Sequence, residues 1–372
     1  MNMKTCLVTG GAGFIGSFIV DELVKKGYAV KIFDNLDPQV HPTGKAPAYL
    51  NKQAEFIQGD VRDYDALKKA LTGVDVVFHE AAAVGVGQSQ YQIKQYVDVN
   101  VGGTANLLDI IVNNKTKVSK ILVAGSMSSY GEGQYECEDC GIVRPPLRTE
   151  EQMKDHDWEL YCPECYEDIR PIPTGEDKRL ECNSIYAMTK RDQEEMVLNI
   201  GEAYNIPAVA LRYFNVYGPR QSLSNPYTGV AAIFMSRIKN NHAPVIFEDG
   251  LQTRDFVSVH DIVRANIAAM EKESLSGCFN IGTGKPRSIK SIADTLIALL
   301  GKDMQPEITN KFRKGDIRHC VADISKAQEA FGFEPKVKFE DGMKELIQWS
   351  ESVNAEDKFE EAHHELRKRG LV

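Results

Sequence analysis

No apolar run in the sequence approaches the roughly 20 residues that a membrane-crossing helix needs, and the mean hydropathy is −0.32. The N-terminus lacks a basic region and a cleavage site; residues 3–9 run straight into a glycine loop. No secretory signal is therefore expected, and a cytoplasmic enzyme is the expected class. An excess of positive charge is also lacking. The 372 residues hold 44 Lys and Arg against 53 Asp and Glu, a net charge of −9. Nucleic-acid partners are disfavoured, because neutralising phosphates needs a basic face. A small phosphorylated ligand needs only a few local cations and stays open. No internal repeat or low-complexity tract is present. What the sequence does have is 42% hydrophobic residues, enough for a core, and a length that suits two domains or one large core with lobes.

The first third alternates strand-like and helix-like segments. Residues 4–8, 30–33 and 74–79 read as short apolar strands, Phe56 and Ile57 open another, and 120–124 and 208–212 follow. Residues 16–26 have helical spacing, with Phe18, Ile19, Leu23 and Val24 on one side, and a further helix begins near Tyr186. This rhythm predicts an α/β fold with a doubly wound parallel sheet covered on both faces. Between Tyr130 and Tyr186 the pattern breaks into Cys, Glu, Asp, Pro and Arg without a period, which predicts an inserted lobe at about 134–182. The expected division is a dinucleotide-binding domain over 1–215, a smaller substrate-binding region over 216–350, and a charged tail over 351–372. The tail reads as a solvated helix or a frayed end.

Gly10, Gly13 and Gly16 follow the first strand and open the first helix. Glycine lets the backbone turn tightly and approach a pyrophosphate, and the helix N-terminus offers free N–H groups, here those of Phe14 and Ile15. Asp34 closes the second strand 18 residues after Gly16. A carboxylate there accepts hydrogen bonds from an adenosine ribose and repels a 2′-phosphate, which favours NAD over NADP. Asn35 lies beside it. Asp60 and Val61 fall where an adenine would lie, and read equally well as an ordinary strand end. Ala81, Ala82 and Ala83 are small enough to let a cofactor pass, though plain packing explains alanines too.

Tyr186 and Lys190 form Y-x-x-x-K, a spacing that puts both side chains on one helix face. A tyrosine is a weak base at neutral pH, and a lysine ammonium one turn away would favour its phenolate. The lysine can also reach a nicotinamide ribose. The plain alternative is a half-buried tyrosine and a solvated lysine. Ser126 follows the fifth strand, where a hydroxyl points into a ligand crevice. Ser128 and Ser129 compete with it, and a simple turn serine is the alternative.

The glycine loop, the Ser126-x-x-x-Tyr130-Gly131 stretch, the Tyr-Lys pair and residues 211–220 (LRYFNVYGPR) together resemble the extended short-chain dehydrogenase/reductases, in particular the nucleotide-sugar epimerases and dehydratases. Residues 254–261 (RDFVSVHD) match a further signature of that group. The resemblance covers 3 to about 350 apart from the insertion. It implies a Rossmann-type fold, bound NAD, a homodimer, and Ser126, Tyr186 and Lys190 as a catalytic trio. It also implies that Asn100 shapes the active site next to the cofactor and that Tyr213 lies at the cofactor. Asn215, Arg254 and Arg313 would contact the substrate diphosphate, with Ser128 near the sugar and Asp316 on the nucleoside ribose. Arginine suits phosphate through its planar fork; a surface salt bridge is the alternative for each arginine.

Dehydratases of the group carry an acidic pair after the catalytic hydroxyl, and Met127 and Ser128 stand there instead. Eliminating water needs a general acid and base on the ring, so the resemblance narrows to 4-epimerisation through a transient 4-keto sugar. Residues 213–227 look nearest to dTDP-L-rhamnose 4-epimerases, which also carry cysteines between the two motifs, with UDP-sugar 4-epimerases as near relatives. Simple oxidoreduction or decarboxylation of a nucleotide sugar stays open. So does another class, a non-catalytic NAD-sensing scaffold.

Eight cysteines are present. Cys137, Cys140, Cys162 and Cys165 form CxxC-x21-CxxC. Two such knuckles complete a tetrahedral site with no open position, so a structural metal is expected, zinc or rubredoxin-type iron, with disulfides or metal-free thiols as the alternatives. The lobe is too short and polar to order itself by a core alone. Lying between Ser126 and Tyr186, it is expected near the mouth of the active site, shaping the sugar pocket or a subunit contact.

Overall fold

Short β-rich runs that end in glycine, aspartate or serine become the strands of one central sheet. In the computed structural model, which describes residues 3–372, these are β1 (Thr5–Thr9), β2 (Ala29–Asp34), β3 (Glu55–Gln58), β4 (Val76–His79), β5 (Lys120–Ser126), β6 (Ala208–Tyr213) and β7 (Gly277–Ile281). The order is β7-β6-β5-β4-β1-β2-β3, and every pair is parallel. The order reverses between β1 and β4, and at such a switch point the carboxyl ends of the strands leave a crevice. Thr9 and His79 lie opposite each other there.

Alternation along the strands feeds two cores. Cys6 and Val8 of β1 pack with Ile19 and Leu23 of the Phe14–Lys25 helix and Ile262 of the Val259–Glu271 helix. Leu7 faces the other way, toward Leu67, Leu107 and Val197 on three helices of the opposite face. The sheet is thus buried on both sides, as its apolar runs predict. β7 was not foreseen: its sequence, GCFNI, has a glycine and an asparagine in place of an apolar run. The chain therefore returns to the first sheet after leaving it at residue 213.

Residues 214–351 otherwise build a second layer around Phe234, Met235, Ile292, Leu296, Met343 and Leu346, carried on three helices. A small sheet joins Asn215–Tyr217 to Thr253–Ser258, which also pairs with Pro286–Ser288 and His319–Cys320. The inserted lobe has strands where none was expected: Gln134–Cys137 pairs with Gly141–Val143 and Arg170–Ile172. Three-residue strands are too short to leave a readable alternation. The tail holds a helix, Phe359–Lys368, that is docked rather than frayed. Ala362 and Leu366, one turn apart, are buried, and the Arg369 guanidinium lies 4.2 Å from the Tyr91 ring centre.

Candidate active site and cysteine centre

The glycine loop crosses the carboxyl end of β1 as expected. Gly10 has φ +69°, and a side chain there would meet the Ala81 backbone nitrogen at 2.8 Å. At Gly16 an added carbon would lie 2.3 Å from the Gly10 carbonyl oxygen. No side chain caps the helix that starts at Phe14, so its first N–H groups face the crevice with the positive end of the helix dipole. Asp34, at the end of β2, is 8% exposed. Its carboxylate accepts from the Ala12 and Leu36 N–H groups at 3.0 and 2.8 Å. That fixes its direction and leaves lone pairs for a ribose. These features fit a dinucleotide: a bare helix end, a loop that admits no side chain, and a braced acid.

Asn35 and Asp60 are brought together, the Asn35 amide donating to Asp60 at 2.9 Å. Arg62 grips the same carboxylate through two nitrogens and, with Asn35, holds it down to about 2. Asp60 thus offers a fixed edge to the crevice rather than a free acid. Val61 is packed by Gly103, where any side chain would strike it. Asn100 sits in a π-helical turn, Val97–Gly102, a local widening common near functional sites. It is fully buried, and its amide bonds the Ala83 N–H and carbonyl and the Thr189 hydroxyl. Asn100 thereby ties the loop after β4, with Ala82 beside it, to the helix that carries Tyr186.

Ser184 caps that helix, Ile185–Ala203, by accepting from the Ala187 N–H. The cap places Tyr186 in the first turn, where its own N–H donates to Ser89. Ser126 ends β5 and is bonded to Ser128, oxygen to oxygen, at 2.8 Å. Ser129 turns away to the Ala187 carbonyl. Burial raises the Tyr186 phenol, and the Ser126 hydroxyl pulls it back. The expected role of Lys190 in lowering Tyr186 is not what the geometry gives. The Lys190 ammonium donates to Gln193 at 2.7 Å. Burial depresses the lysine, while Glu80 and Glu194 oppose that.

Beneath Lys190 runs a polar chain not foreseen from the sequence. Gln193 donates to Thr104 at 2.9 Å, Thr104 meets His79 Nε2 at 2.9 Å, and His79 Nδ1 meets Thr9 at 2.8 Å. Glu80, the next residue, is raised by burial and bonded by the Tyr213 hydroxyl at 3.0 Å. Asn266 donates to the same hydroxyl. Tyr213 is buried, and its engaged hydroxyl anchors Glu80 at the end of β4. A His-Glu pair closing an otherwise apolar strand was the signal available.

On the substrate side, Asn215 and Arg254 lie on adjacent parallel strands. The Asn215 side-chain oxygen is buried without a partner, which suits a polar ligand. Arg254 donates to the carbonyls of Thr253, Ile317 and Arg318. Arg313 and Asp316 do not point at a common ligand; they pair with each other at 2.9 Å, the salt-bridge alternative. Arg313 also stands 4.9 Å over the Phe247 ring.

The four motif cysteines converge, their sulfurs all within 4.8 Å of one another. Cys137 and Cys165 are 3.5 Å apart, and all four are free thiols. A disulfide needs about 2.05 Å, whereas sulfurs at the corners of a zinc tetrahedron are about 3.8 Å apart for a Zn–S length near 2.3 Å. The donor set fits a tetrahedral metal. Tyr135, Val143 and Leu160 pack around it as a small core.

The parallel sheet, the bare glycine-helix end and the braced acid at the end of β2 define a dinucleotide-binding α/β protein. The NAD-dependent epimerase/dehydratase family model matches residues 6–151, and that of GDP-mannose 4,6-dehydratase matches 162–346. The dTDP-L-rhamnose 4-epimerase of Burkholderia thailandensis is 36% identical over 354 residues, covering 93% of this chain and 94% of its own. Among solved structures, the UDP-glucose 4-epimerase of Thermotoga maritima with UDP-glucose has a TM-score of 0.75 at 31% identity, covering 93% of this chain and 98% of that one. The Thermus thermophilus UDP-glucose 4-epimerase in complex with NAD has 0.71 at 30%, covering 94% and 100%. The chain belongs to the NAD-dependent epimerase/dehydratase family.

Proposed function

We propose that the chain is an NAD-dependent nucleotide-sugar 4-epimerase, an isomerase acting on dTDP-L-rhamnose or a UDP-sugar through a 4-keto intermediate. The observation that carries the reading is Tyr186 set beside Ser126 at the end of β5, in a protein 36% identical to a dTDP-L-rhamnose 4-epimerase.

Gly10, Gly13, Phe14, Ile15 and Gly16 would hold the NAD diphosphate, and Asp34 with Asn35 the adenosine ribose. When bound, NAD supplies a hydride acceptor that serves in turn as the donor. Ser126 and Ser128 orient the sugar 4-hydroxyl. Tyr186 takes its proton and later returns one to the same oxygen. Lys190, one turn along the same helix, would hold the nicotinamide ribose. Asn215 and Arg254 would receive the substrate diphosphate. Reaching it, Arg313 and Asp316 would have to exchange their mutual bond for phosphate and ribose. Met127 and Ser128 give no acidic pair for dehydration. The four cysteines would bind a structural zinc in a ribbon-like lobe. The dinucleotide-binding part comprises 1–215 with β7 and the Val259–Glu271 helix added from later in the chain, and the nucleotide-sugar region is the rest of 216–350. A cytoplasmic homodimer completes the reading.

The test is incubation with dTDP- and UDP-sugars without added NAD, followed by NMR of the products. Inversion at the 4-position is expected. Release of water or carbon dioxide would overturn the assignment.

A further inference from the structure

The lobe is joined to the substrate side by buried charges. Arg148, with its side chain wholly buried, grips Glu248 through two nitrogens at 2.8 and 2.9 Å. The same guanidinium donates to the Trp158 carbonyl inside the lobe and to the Asp316 carbonyl outside it. Glu159, three residues before Cys162, bonds Arg318, which is itself completely buried and also bonds Glu248 and Asp249. Glu132 accepts from the Tyr135 hydroxyl and from the backbone N–H groups of Arg318 and His319. Tyr135 is two residues before Cys137 and belongs to the core around the cysteines.

All three links end on one short piece of chain, 316–319, and on Glu248. That piece carries the carbonyls of Ile317 and Arg318 that hold the Arg254 guanidinium at 2.7 and 2.9 Å. Glu248 follows Phe247 and has φ +56°, a conformation uncommon for a non-glycine residue. Burying several ions is costly, and in some proteins such pairs serve to select one arrangement. A lobe that merely covered the surface would have no need of them.

We propose that the cysteine lobe is a metal-dependent positioning element for the nucleotide-diphosphate wall, with Arg148 as its key residue. The metal fixes the segments around Cys137 and Cys162. Those segments hold Glu132, Glu159 and, through Trp158, Arg148, and these in turn set the place of Arg254. The inference rests on the nucleotide-sugar reading above.

The experiment uses the full chain with its own metal, measured by plasma emission. Binding of dTDP and UDP is followed by calorimetry, and retained NAD by chromatography of the released cofactor. The wild type is compared with Arg148→Lys, with the double variant Arg148→Met/Glu248→Gln, and with wild type freed of metal by an organomercurial. The double variant removes both charges of the pair together, and Arg318, which loses its bond to Glu248, keeps Glu159 and Asp249, so it remains folded if the single change does not. Nucleoside-diphosphate affinity is expected to fall roughly tenfold or more in all three, as for loss of positioning. NAD content should stay at the wild-type level, and in turnover KM should rise far more than kcat falls. Unchanged affinity in the double variant or the metal-free protein overturns the inference, as does a wild type isolated without metal. Loss of NAD in step with nucleotide overturns it too, since that is general unfolding. A wild type that binds neither nucleotide sinks the nucleotide-sugar reading itself; normal wild-type binding with unaffected variants sinks only the role of the lobe.

Discussion

His79 makes the fold acid-sensitive in a calculable way. It is completely buried between Thr9 and Thr104. Burial, with help from the nearby Lys190 charge, takes its imidazole from 6.5 down to about 3. It therefore enters the folded protein neutral. In the unfolded chain it gains a proton as pH falls below 6.5, and the folded form cannot follow until about 3. The stability it supports is present above 6.5 and is lost as pH falls. A linkage of about 1.4 kcal/mol per pH unit gives a loss of about 2 kcal/mol between about pH 8 and pH 5. Urea unfolding of the wild type and of His79→Gln across that range measures it. Glutamine keeps hydrogen-bonding capacity and has no charge to gain. The variant should begin less stable and show a pH slope shallower by that amount. Carboxylates held low, such as Asp60 and Glu159 at about 2, act mainly below this window and are common to both proteins. Parallel slopes would refute the assignment of the acid loss to His79.

Tyr186→Phe should abolish turnover and leave bound NAD in place; near-normal rates in the NMR assay would remove the tyrosine from its acid–base role. Gly16→Ala puts a carbon 2.3 Å from the Gly10 carbonyl oxygen, so the purified protein should lack NAD while retaining most of its helical circular dichroism, and a normal cofactor content would show that the loop yields. Asn100→Ala removes the partner of both polar groups of the part-buried Ala83, a loss of about 1 kcal/mol for each bond. Its thermal midpoint should drop and its kcat fall together; a midpoint equal to the wild type would show that water replaces the amide.

The central sheet was readable because its first six strands are apolar runs closed by residues that stop them. β7 was hidden by Gly277 and Asn280, whose places are set by pairing with β6 rather than by their own propensity. The site was readable where chemistry demands one residue type at one spacing: the glycines, Tyr186 with Lys190, and the four cysteines. It was not readable where the partner is distant in sequence. The Arg148–Glu248 bond spans 100 residues, and nothing local in either residue announces the other. Asn100 and Tyr213 were placed near the right loop, but only the folded contacts show that their polar groups face protein.

The residues around Tyr186 also bear on which reaction the site can run. In 4-epimerisation the proton taken from the sugar oxygen goes back to that same oxygen, so in the proposed reading one phenol beside Ser126 would serve both directions and no proton need cross to solvent. The buried surroundings match that demand: His79 is neutral, and the raised carboxyl of Glu80 is bonded to Tyr213. Dehydration differs in kind, because a ring proton must be removed and a hydroxyl protonated at a second carbon. That requires two more titrating groups facing the sugar. The positions after Ser126 offer a thioether and a hydroxyl, Met127 and Ser128, and the Ser128 hydroxyl is bonded to Ser126 itself. A single returning proton is the chemistry these side chains can carry.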